Sequence, residues 1–167
     1  MAAPATLALP VATRMLLASD GSTTVLLESL LGRRLSVRVS LQHRVGAGQA
    51  PPQALASLGL GPEHTVVERH SVLVTDDDEV VSRNLVVFTA PPRGWSGAAN
   101  DAVPLGHRLR DTLTLQHRRL LGSGTDRWSP DDEPCAYKEY LISCDDGARL
   151  YVHERFDPRF VPLPETV

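Results

Sequence analysis

The chain has 167 residues, enough for one domain with a buried core, and 42% of them are hydrophobic. Its formal net charge of −3 argues against a nucleic-acid binder, because such proteins are usually basic. No apolar run approaches the roughly 20 residues that a membrane-spanning helix needs. Neither nucleic acid nor a membrane is therefore a predicted partner.

The N-terminal segment does not resemble a signal peptide. Residues 1–17, MAAPATLALPVATRMLL, lack a basic beginning, and their apolar part is interrupted by Pro4 and Pro10. We predict a flexible N-terminal arm over residues 1–13 and a single domain over residues 14–163.

The cysteines and histidines predict neither a disulfide framework nor a metal site. Cys135 and Cys144 form no CxxC motif, so both are expected to be reduced thiols in a cytoplasmic protein. The six histidines show no HxH or HxxxH spacing, so no metal ligand set is predicted.

The first third of the chain predicts a helix, a strand and a mobile connection. Residues 19–32 carry capping residues, an apolar face and a terminal glycine, which is typical of a helix. Residues 33–40 alternate between apolar and polar side chains, as in a half-buried strand. Residues 45–62 are rich in Gly, Ala and Pro around one short helix near Gln53–Leu58, and by composition they are a candidate lid.

A hairpin follows. Residues 64–75 and 79–90 are rich in β-branched side chains and flank the acidic turn Asp76-Asp77-Asp78. An aspartate cluster can bind calcium, but the spacing of an EF-hand loop is absent. A solvated turn is favoured.

The rest of the chain predicts a helix and a second hairpin. A Pro/Gly-rich loop ends near Asp101, and a helix is expected from Pro104 to about Leu115. Strands over residues 136–143 and 148–156 then flank the turn CDDG. Because no strand–helix–strand series occurs, we predict an α+β fold with a single antiparallel sheet and helices packed on it.

Two charged residues fall inside apolar strands. Alternation places Arg69 on the same face of its strand as Val67 and Leu73, and Glu154 on the same face as Leu150 and Val152. A single charged residue in a strand more often points to solvent. The pattern nevertheless fits inward-facing groups, each of which would need a partner or a polar ligand.

Three segments in this order resemble the chorismate lyase family: ERHSVLVTDDDEVVSRNLVVF, VPLGHRL and ARLYVHERFDP. Members of that family eliminate pyruvate from chorismate and leave 4-hydroxybenzoate. The matching positions are Arg69, Arg83, Pro104–Gly106 and Glu154, and the resemblance covers roughly residues 14–163. It implies a chorismate lyase-like fold and a lyase that serves ubiquinone-like or specialised aromatic metabolism.

The resemblance also implies how one end of the substrate would be bound. The guanidinium of Arg69 would hold the carboxylate, helped by the main-chain N–H of Leu105. Gly106 would keep the start of the helix open so that backbone donors face the anion. Arg83 is the second arginine of the family pattern and is a candidate substrate-binding residue.

At the other end of the ring, the resemblance assigns Glu154 to the departing ether oxygen. Burial can raise the pKa of such a carboxyl group, which could then act as a general acid. Thr23 stands where the best-known members have a methionine that contributes a backbone contact, so the pocket wall is smaller and more polar here. No metal or organic cofactor is expected.

Two other functions remain open. The same architecture resembles the effector-binding domain of one class of bacterial winged-helix regulators, which bind a small acid without reacting on it. The other alternative is an enzyme of this fold that acts on a related enolpyruvyl or aromatic acid. A regulator of that class would carry a DNA-binding domain before this one, whereas fewer than twenty residues precede the first predicted helix. The lyase is therefore our leading prediction.

Three features are not assigned to the site. Lys138 could add positive charge to the site, but an outward-facing, solvated lysine is favoured. The segment of residues 118–132 carries no motif that we can place. The sequence also predicts no oligomeric state.

Overall fold

The computed structural model describes residues 9–129 and 133–164. Within these residues the chain forms four α-helices and six β-strands. In chain order they are α1 Val11–Ala18, α2 Thr23–Leu31, β1 Ser36–Gly46, α3 Pro52–Leu58, β2 Thr65–Val74, β3 Val80–Phe88, α4 Leu105–Asp111, β4 Gln116–Arg127, β5 Pro134–Cys144 and β6 Arg149–Phe156.

The six strands form one sheet in the order β1-β2-β3-β6-β5-β4, and every neighbouring pair is antiparallel. The prediction of an α+β fold with a single antiparallel sheet is thus confirmed. The central pair, β3 and β6, joins two strand groups that are far apart in sequence. This pairing brings the faces of β2 and β6 that carry Arg69 and Glu154 onto one side of the sheet.

Strand β4 was not predicted. Its sequence, QHRRLLGSGTDR, is polar and contains two glycines, and it lies at the edge of the sheet with most side chains at least partly exposed. Gly124 packs against Tyr137 of β5, where an added Cβ would lie 3.2 Å from the tyrosine ring. An edge strand of this composition lacks the alternation of a half-buried strand.

The N-terminal helix overlaps the predicted arm. Helix α1 begins at Val11 and buries Thr13, Leu16 and Leu17. The Thr13 hydroxyl donates a 2.7 Å hydrogen bond to the carbonyl of Pro162 near the other end of the chain. Residues 1–8, which make up most of the predicted arm, lie outside the described residues.

Helices cover both faces of the sheet. Helices α1, α2 and α4 lie on one face, which we call the inner face, and contribute to its buried apolar clusters. On the opposite, outer face, α3 buries Ala54 and Leu58 against Val87 and Tyr151. The short helix predicted near residues 53–58 is therefore confirmed, but the segment of residues 45–62 packs on the outer face.

The acidic turn between β2 and β3 is exposed and is held by arginines. Arg33 forms ion pairs with Asp76 and Asp77, and Arg38 pairs with Asp78. Among the described residues no group of three or more His, Cys, Asp or Glu side chains is arranged to hold a metal ion. The turn agrees with the solvated turn that the sequence favours.

Both cysteines are buried and unpaired with each other. Burial raises the pKa of the Cys144 thiol to about 11, helped by Asp146 and Asp145. A thiol with such a pKa is almost fully protonated at neutral pH and is therefore a poor nucleophile.

Candidate functional site

A cavity of about 50 Å³ lies between the inner face of the sheet and the starts of α2 and α4. Ser22, Thr23 and Thr24 line it from α2, and Pro104, Leu105 and Gly106 line it from α4. Its polar lining from the sheet and the preceding loop consists of Arg69, Ser71, Asn84, Trp95, Arg118, Tyr140 and Glu154.

The strand register explains why polar groups meet here. Ser71, Asn84, Glu154 and Lys138 occupy directly opposed positions on β2, β3, β6 and β5. Directly opposed residues of antiparallel strands share a face, so these four form one polar row across the inner face. The row with Arg69 runs beside it, since Arg69 is opposed to Val86 and Val86 to Val152.

Arg69 is 4% exposed and lines the cavity, as the alternation of its strand predicts. Its Nη1 donates to Gln42 Oε1 at 2.9 Å and to the carbonyl of Ala98 at 2.8 Å, and its Nη2 reaches the carbonyl of Asp101 at 3.5 Å. Burial lowers the pKa of Arg69, and the nearby Asp101 carboxylate opposes this shift. Arg69 therefore fixes the loop that closes the cavity, in addition to lining it.

Glu154 is 5% exposed and lies in the same cavity. Burial raises the pKa of its carboxyl group, and the positive charge of Lys138 partly opposes this shift. Its Oε2 atom is buried and has no hydrogen-bond partner. A donor entering the cavity would stabilise the ionised form.

Lys138 is buried behind Glu154 with 1% of its surface exposed, so the prediction of a solvated lysine is wrong. Its Nζ donates to the carbonyls of Leu16 at 3.1 Å and Ser19 at 3.3 Å. Burial lowers the pKa of Lys138, and the Glu154 carboxylate opposes that change. The lysine thus joins α1 to the polar row.

Gly106 lines the cavity, but the structural reason for a glycine at this position is the packing between α2 and α4. A Cβ at this position would lie 2.6 Å from Ser22 Oγ and 3.7 Å from Thr24 Oγ1. The glycine therefore permits the start of α4 to approach the start of α2 closely. Leu105 and Thr23 lie beside it, where the resemblance placed them in the site.

Arg83 is the predicted site residue that the fold does not bring to the cavity. It is exposed on the outer face, where its guanidinium lies 4.8 Å from the ring centre of Trp128. The next residue, Asn84, faces the cavity because side chains alternate along β3. The candidate lid of residues 45–62 likewise contributes no lining residue; the loop that contains Trp95 covers the cavity instead.

Sequence reasoning missed several lining residues. Asn84 could have been predicted, because the alternation along β3 that places Arg83 on the outer face places the next residue on the inner face. Arg118 lies on the unpredicted strand β4 opposite Ile142, so the site could not be completed without that strand. Trp95 lies in an irregular loop, where no periodicity indicates its direction.

Unpartnered polar atoms concentrate in this cavity. Among the described residues, eight buried side-chain nitrogen or oxygen atoms lack a hydrogen-bond partner, and six belong to residues that line the cavity. These six are Ser22 Oγ, Thr23 Oγ1, Asn84 Oδ1, Trp95 Nε1, Arg118 Nε and Glu154 Oε2. Because buried polar groups are normally paired, these six atoms mark the cavity as a candidate ligand site.

No described helix is long and apolar enough to cross a bilayer. Neither a family model nor a curated protein sequence matches the chain.

Solved structures share the fold. The chain is similar to the effector domain of PhnF from Mycobacterium smegmatis, with 13% identity and a TM-score of 0.60 over 84% of this chain and 91% of that one. It is also similar to the C-terminal domain of the histidine utilization repressor from Pseudomonas syringae pv. tomato, with 11% identity and a TM-score of 0.55 over 80% and 99%.

A third similar structure is the ligand-binding domain of a protein described as a GntR-family transcriptional regulator, from Bordetella bronchiseptica. Identity is 14% and the TM-score is 0.55 over 80% of this chain and 92% of that one. At such low identity these likenesses establish the fold, which regulator domains of this kind share with chorismate lyase.

These neighbours contradict the leading prediction. The identification of the chain as a chorismate lyase is wrong, because the structures it resembles are effector and ligand-binding domains of transcriptional regulators. The predicted lyase activity and its place in 4-hydroxybenzoate synthesis are withdrawn with it.

Proposed function

We propose that this chain is a ligand-binding domain that takes a small organic anion into the inner-face cavity and does not react with it. The observation that carries this proposal is the set of six unpartnered polar atoms around one enclosed space. Leaving a buried donor or acceptor unpaired costs about 1–3 kcal/mol. A bound molecule that pairs with several of them offsets that cost.

The charges of the lining indicate an anion. Arg69 and Arg118 are both cationic, and Glu154 is the acidic residue that faces them. Lys138, immediately behind Glu154, already offsets its charge. The walls therefore carry excess positive charge, which an anionic ligand would neutralise.

The ligand's acidic end is assigned to Arg118 and Trp95. Both have unpaired N–H groups, Nε and Nε1, and these groups act as donors and not as acceptors. Arg69, by contrast, already donates to Gln42 and to two loop carbonyls. Arg69 adds positive charge and holds the loop, while Arg118 supplies a free donor.

The opposite end of the ligand requires a donor. Glu154 Oε2, when ionised, accepts hydrogen bonds and donates none. A hydroxyl or amino group on the ligand would pair with it. The proposed ligand class is thus a small carboxylic acid that carries a hydrogen-bond donor away from its carboxylate.

The structural neighbours favour binding without catalysis. Two of them are described as an effector domain and as a ligand-binding domain. We infer that the ligand is recognised and released unchanged.

A matched panel of acids tests this proposal. The probes are glycolate, 3-hydroxypropionate and 4-hydroxybutyrate, each compared with the acid that lacks the hydroxyl group. We expect at least one hydroxy acid to raise the melting temperature and to give a calorimetric binding isotherm, with a weaker effect from its deoxy partner. Mass spectrometry should recover the bound acid unchanged.

Adjacent arginines on β4 provide the control. Arg118→Met removes the free donor and should weaken the binding of the best acid by about tenfold or more. Arg119→Met removes the same charge from an exposed position that does not line the cavity, and should leave affinity within about twofold. Binding of no acid in the panel, or equal losses in both variants, would overturn the assignment, and turnover of the acid would contradict the non-catalytic role.

A further inference from the structure

Two arginines oppose each other directly on the outer face of the sheet. Arg83 of β3 and Arg155 of β6 are paired in register, so their side chains leave the sheet side by side. Neither is within ion-pair distance of a carboxylate in the part of the chain that the structure describes. Directly opposed like charges destabilise a sheet unless something neutralises them.

Both guanidinium groups are held in place. That of Arg83 lies over the ring of Trp128, 4.8 Å from its centre. Arg155 Nη1 donates a 2.9 Å hydrogen bond to the carbonyl of Arg127. Side chains fixed in this way lose little further conformational entropy when they bind a ligand.

The arginines border a hollow of about 240 Å³, which is separate from the inner cavity. His70 and His153 line it on the neighbouring row, and Leu85 lies between them in the register. His153 is stacked on Tyr137, with ring centres 5.1 Å apart. Asp126 is the one acidic side chain among the described residues of the lining, 3.9 Å from His153 Nε2.

We propose that this hollow is a second ligand site, which binds the phosphate group of a small phosphorylated molecule between Arg83 and Arg155. Paired guanidinium groups match the geometry of phosphate oxygens and donate charge-assisted hydrogen bonds to them. The two charges of a phosphate monoester balance the two arginines. The site does not depend on the function proposed for the inner cavity.

A small molecule fits better than a polynucleotide. The whole chain carries a formal net charge of −3, whereas nucleic-acid-binding surfaces usually belong to basic proteins. The hollow is also bounded, with room for a phosphate and a short attached group. Nucleic acid is therefore an alternative outcome of the test.

The test titrates the full chain with inorganic phosphate, glycerol 3-phosphate and a single-stranded oligonucleotide. Calorimetry is carried out at constant ionic strength and about pH 8, where phosphate is mostly a dianion. We expect saturable binding of glycerol 3-phosphate and inorganic phosphate, and tighter binding of the former. In the alternative outcome, the oligonucleotide binds more tightly than both phosphate compounds and loses that binding when Arg83 or Arg155 is replaced by Gln. That result would identify the ligand of this site as a nucleic acid and not a small molecule.

Variants locate the site. Arg83→Gln and Arg155→Gln should each weaken glycerol 3-phosphate binding by about tenfold or more. Arg44→Gln, an equal charge change at an exposed position outside the hollow, should leave it unchanged. Arg118→Met should also leave it unchanged, which separates this site from the inner cavity. The proposal fails if phosphate compounds give no saturable heat, or if binding survives in the Arg83→Gln/Arg155→Gln double variant.

Discussion

The Glu154 carboxyl group and the Lys138 ammonium group form a buried pair on opposed positions of β6 and β5. Each opposes the pKa shift that burial imposes on the other. Burial dominates at both residues, so the pKa of Glu154 stays raised and that of Lys138 stays lowered. The fold therefore keeps two charges in a place where neither is well solvated, which is common at ligand sites and costs stability.

The raised pKa of Glu154 predicts a pH dependence. A carboxyl group with a raised pKa binds its proton more tightly in the folded chain, so stability falls as pH rises from its ordinary value near 4.5 through the folded value. Glu154→Gln should remove this fall. Urea unfolding of both proteins between about pH 4 and 7 should show the wild type losing stability relative to the variant, by about 1.4 kcal/mol for each pH unit that separates the folded pKa from the unfolded one.

The control for that experiment is Gln49→Ala, which changes an exposed side chain and neither adds nor removes a titratable group. Its stability difference from the wild type should be the same at every pH in this range. A difference between wild type and Glu154→Gln that is flat, or that grows in favour of the wild type, would contradict the raised pKa.

Alternation along the strands was enough to indicate that Arg69 and Glu154 point inward, because Val67 precedes Arg69 on its face, and Leu150 and Val152 precede Glu154 on its face. Alternation could not predict which way the Lys138 side chain points. In β5, Ala136 and Tyr140 flank the lysine on one face, while Leu141 lies on the other, and all three are buried. When both faces of a strand are covered, period-two patterning no longer tells inside from outside.

At the scale of helices, the contact between α2 and α4 shapes the mouth of the cavity. The Oγ atom of Ser22, the N-cap residue of α2, occupies the space next to Gly106 in the first turn of α4. A glycine in a helix costs about 1 kcal/mol relative to alanine. A larger residue at this position would have to displace the Ser22 hydroxyl, which offsets the gain in helix propensity.

This contact predicts a strong coupling between the two positions. Gly106→Ala should not stabilise the wild-type chain, because its Cβ would approach Ser22 Oγ to 2.6 Å. In a Ser22→Ala background the hydroxyl is gone and the nearest remaining atom, Ser22 Cβ, is 3.7 Å away. There the same change should gain up to about 1 kcal/mol from helix propensity.

Urea unfolding of the wild type, both single variants and the double variant measures this coupling as a double-mutant cycle. We expect an interaction energy of about 1 kcal/mol. Additive effects would show that the glycine serves something other than the α2–α4 contact, such as an approach of the ligand to the backbone.

Strand β4 shows what local sequence could not supply. Its glycines and charged residues indicate a loop, yet it pairs with β5 from Gln116 to Arg127. β4 forms a hairpin with the next strand, β5, and cross-strand contacts of this kind decide whether a polar segment is a strand, so β-propensity is a weak guide to it. Because β4 was not predicted, the predicted site also lacked Arg118, the residue whose Nε has no hydrogen-bond partner.

On the scale of the whole molecule, the sheet is used on both faces. The β3–β6 pairing joins the strand group that carries Arg69 to the group that carries Glu154, and so assembles the inner cavity from distant segments. The resemblance that located these residues predicted the fold correctly and the function wrongly. A fold constrains how strands and helices pack, whereas chemistry depends on individual side chains, and one architecture serves both enzymes and binding domains.

Lys138 gives a way to measure how firmly this assembly is closed. It is the sole lysine in the sequence, and α1 covers it while accepting its hydrogen bonds through Leu16 and Ser19. Amine reagents can reach it only after α1 separates from the sheet. We therefore expect reductive methylation of the native protein to leave Lys138 unmodified.

Mass spectrometry of timed samples measures this reaction. The rate at Lys138 should rise steeply with urea, because the denaturant favours the states in which the lysine is exposed. Arg119→Lys introduces an exposed lysine on β4 as an internal control, and that residue should react in the native protein without denaturant, much faster than Lys138. Methylation of Lys138 at a similar rate without denaturant would show that α1 does not seal the polar row, and that Glu154 lacks the buried partner on which its position in the cavity depends.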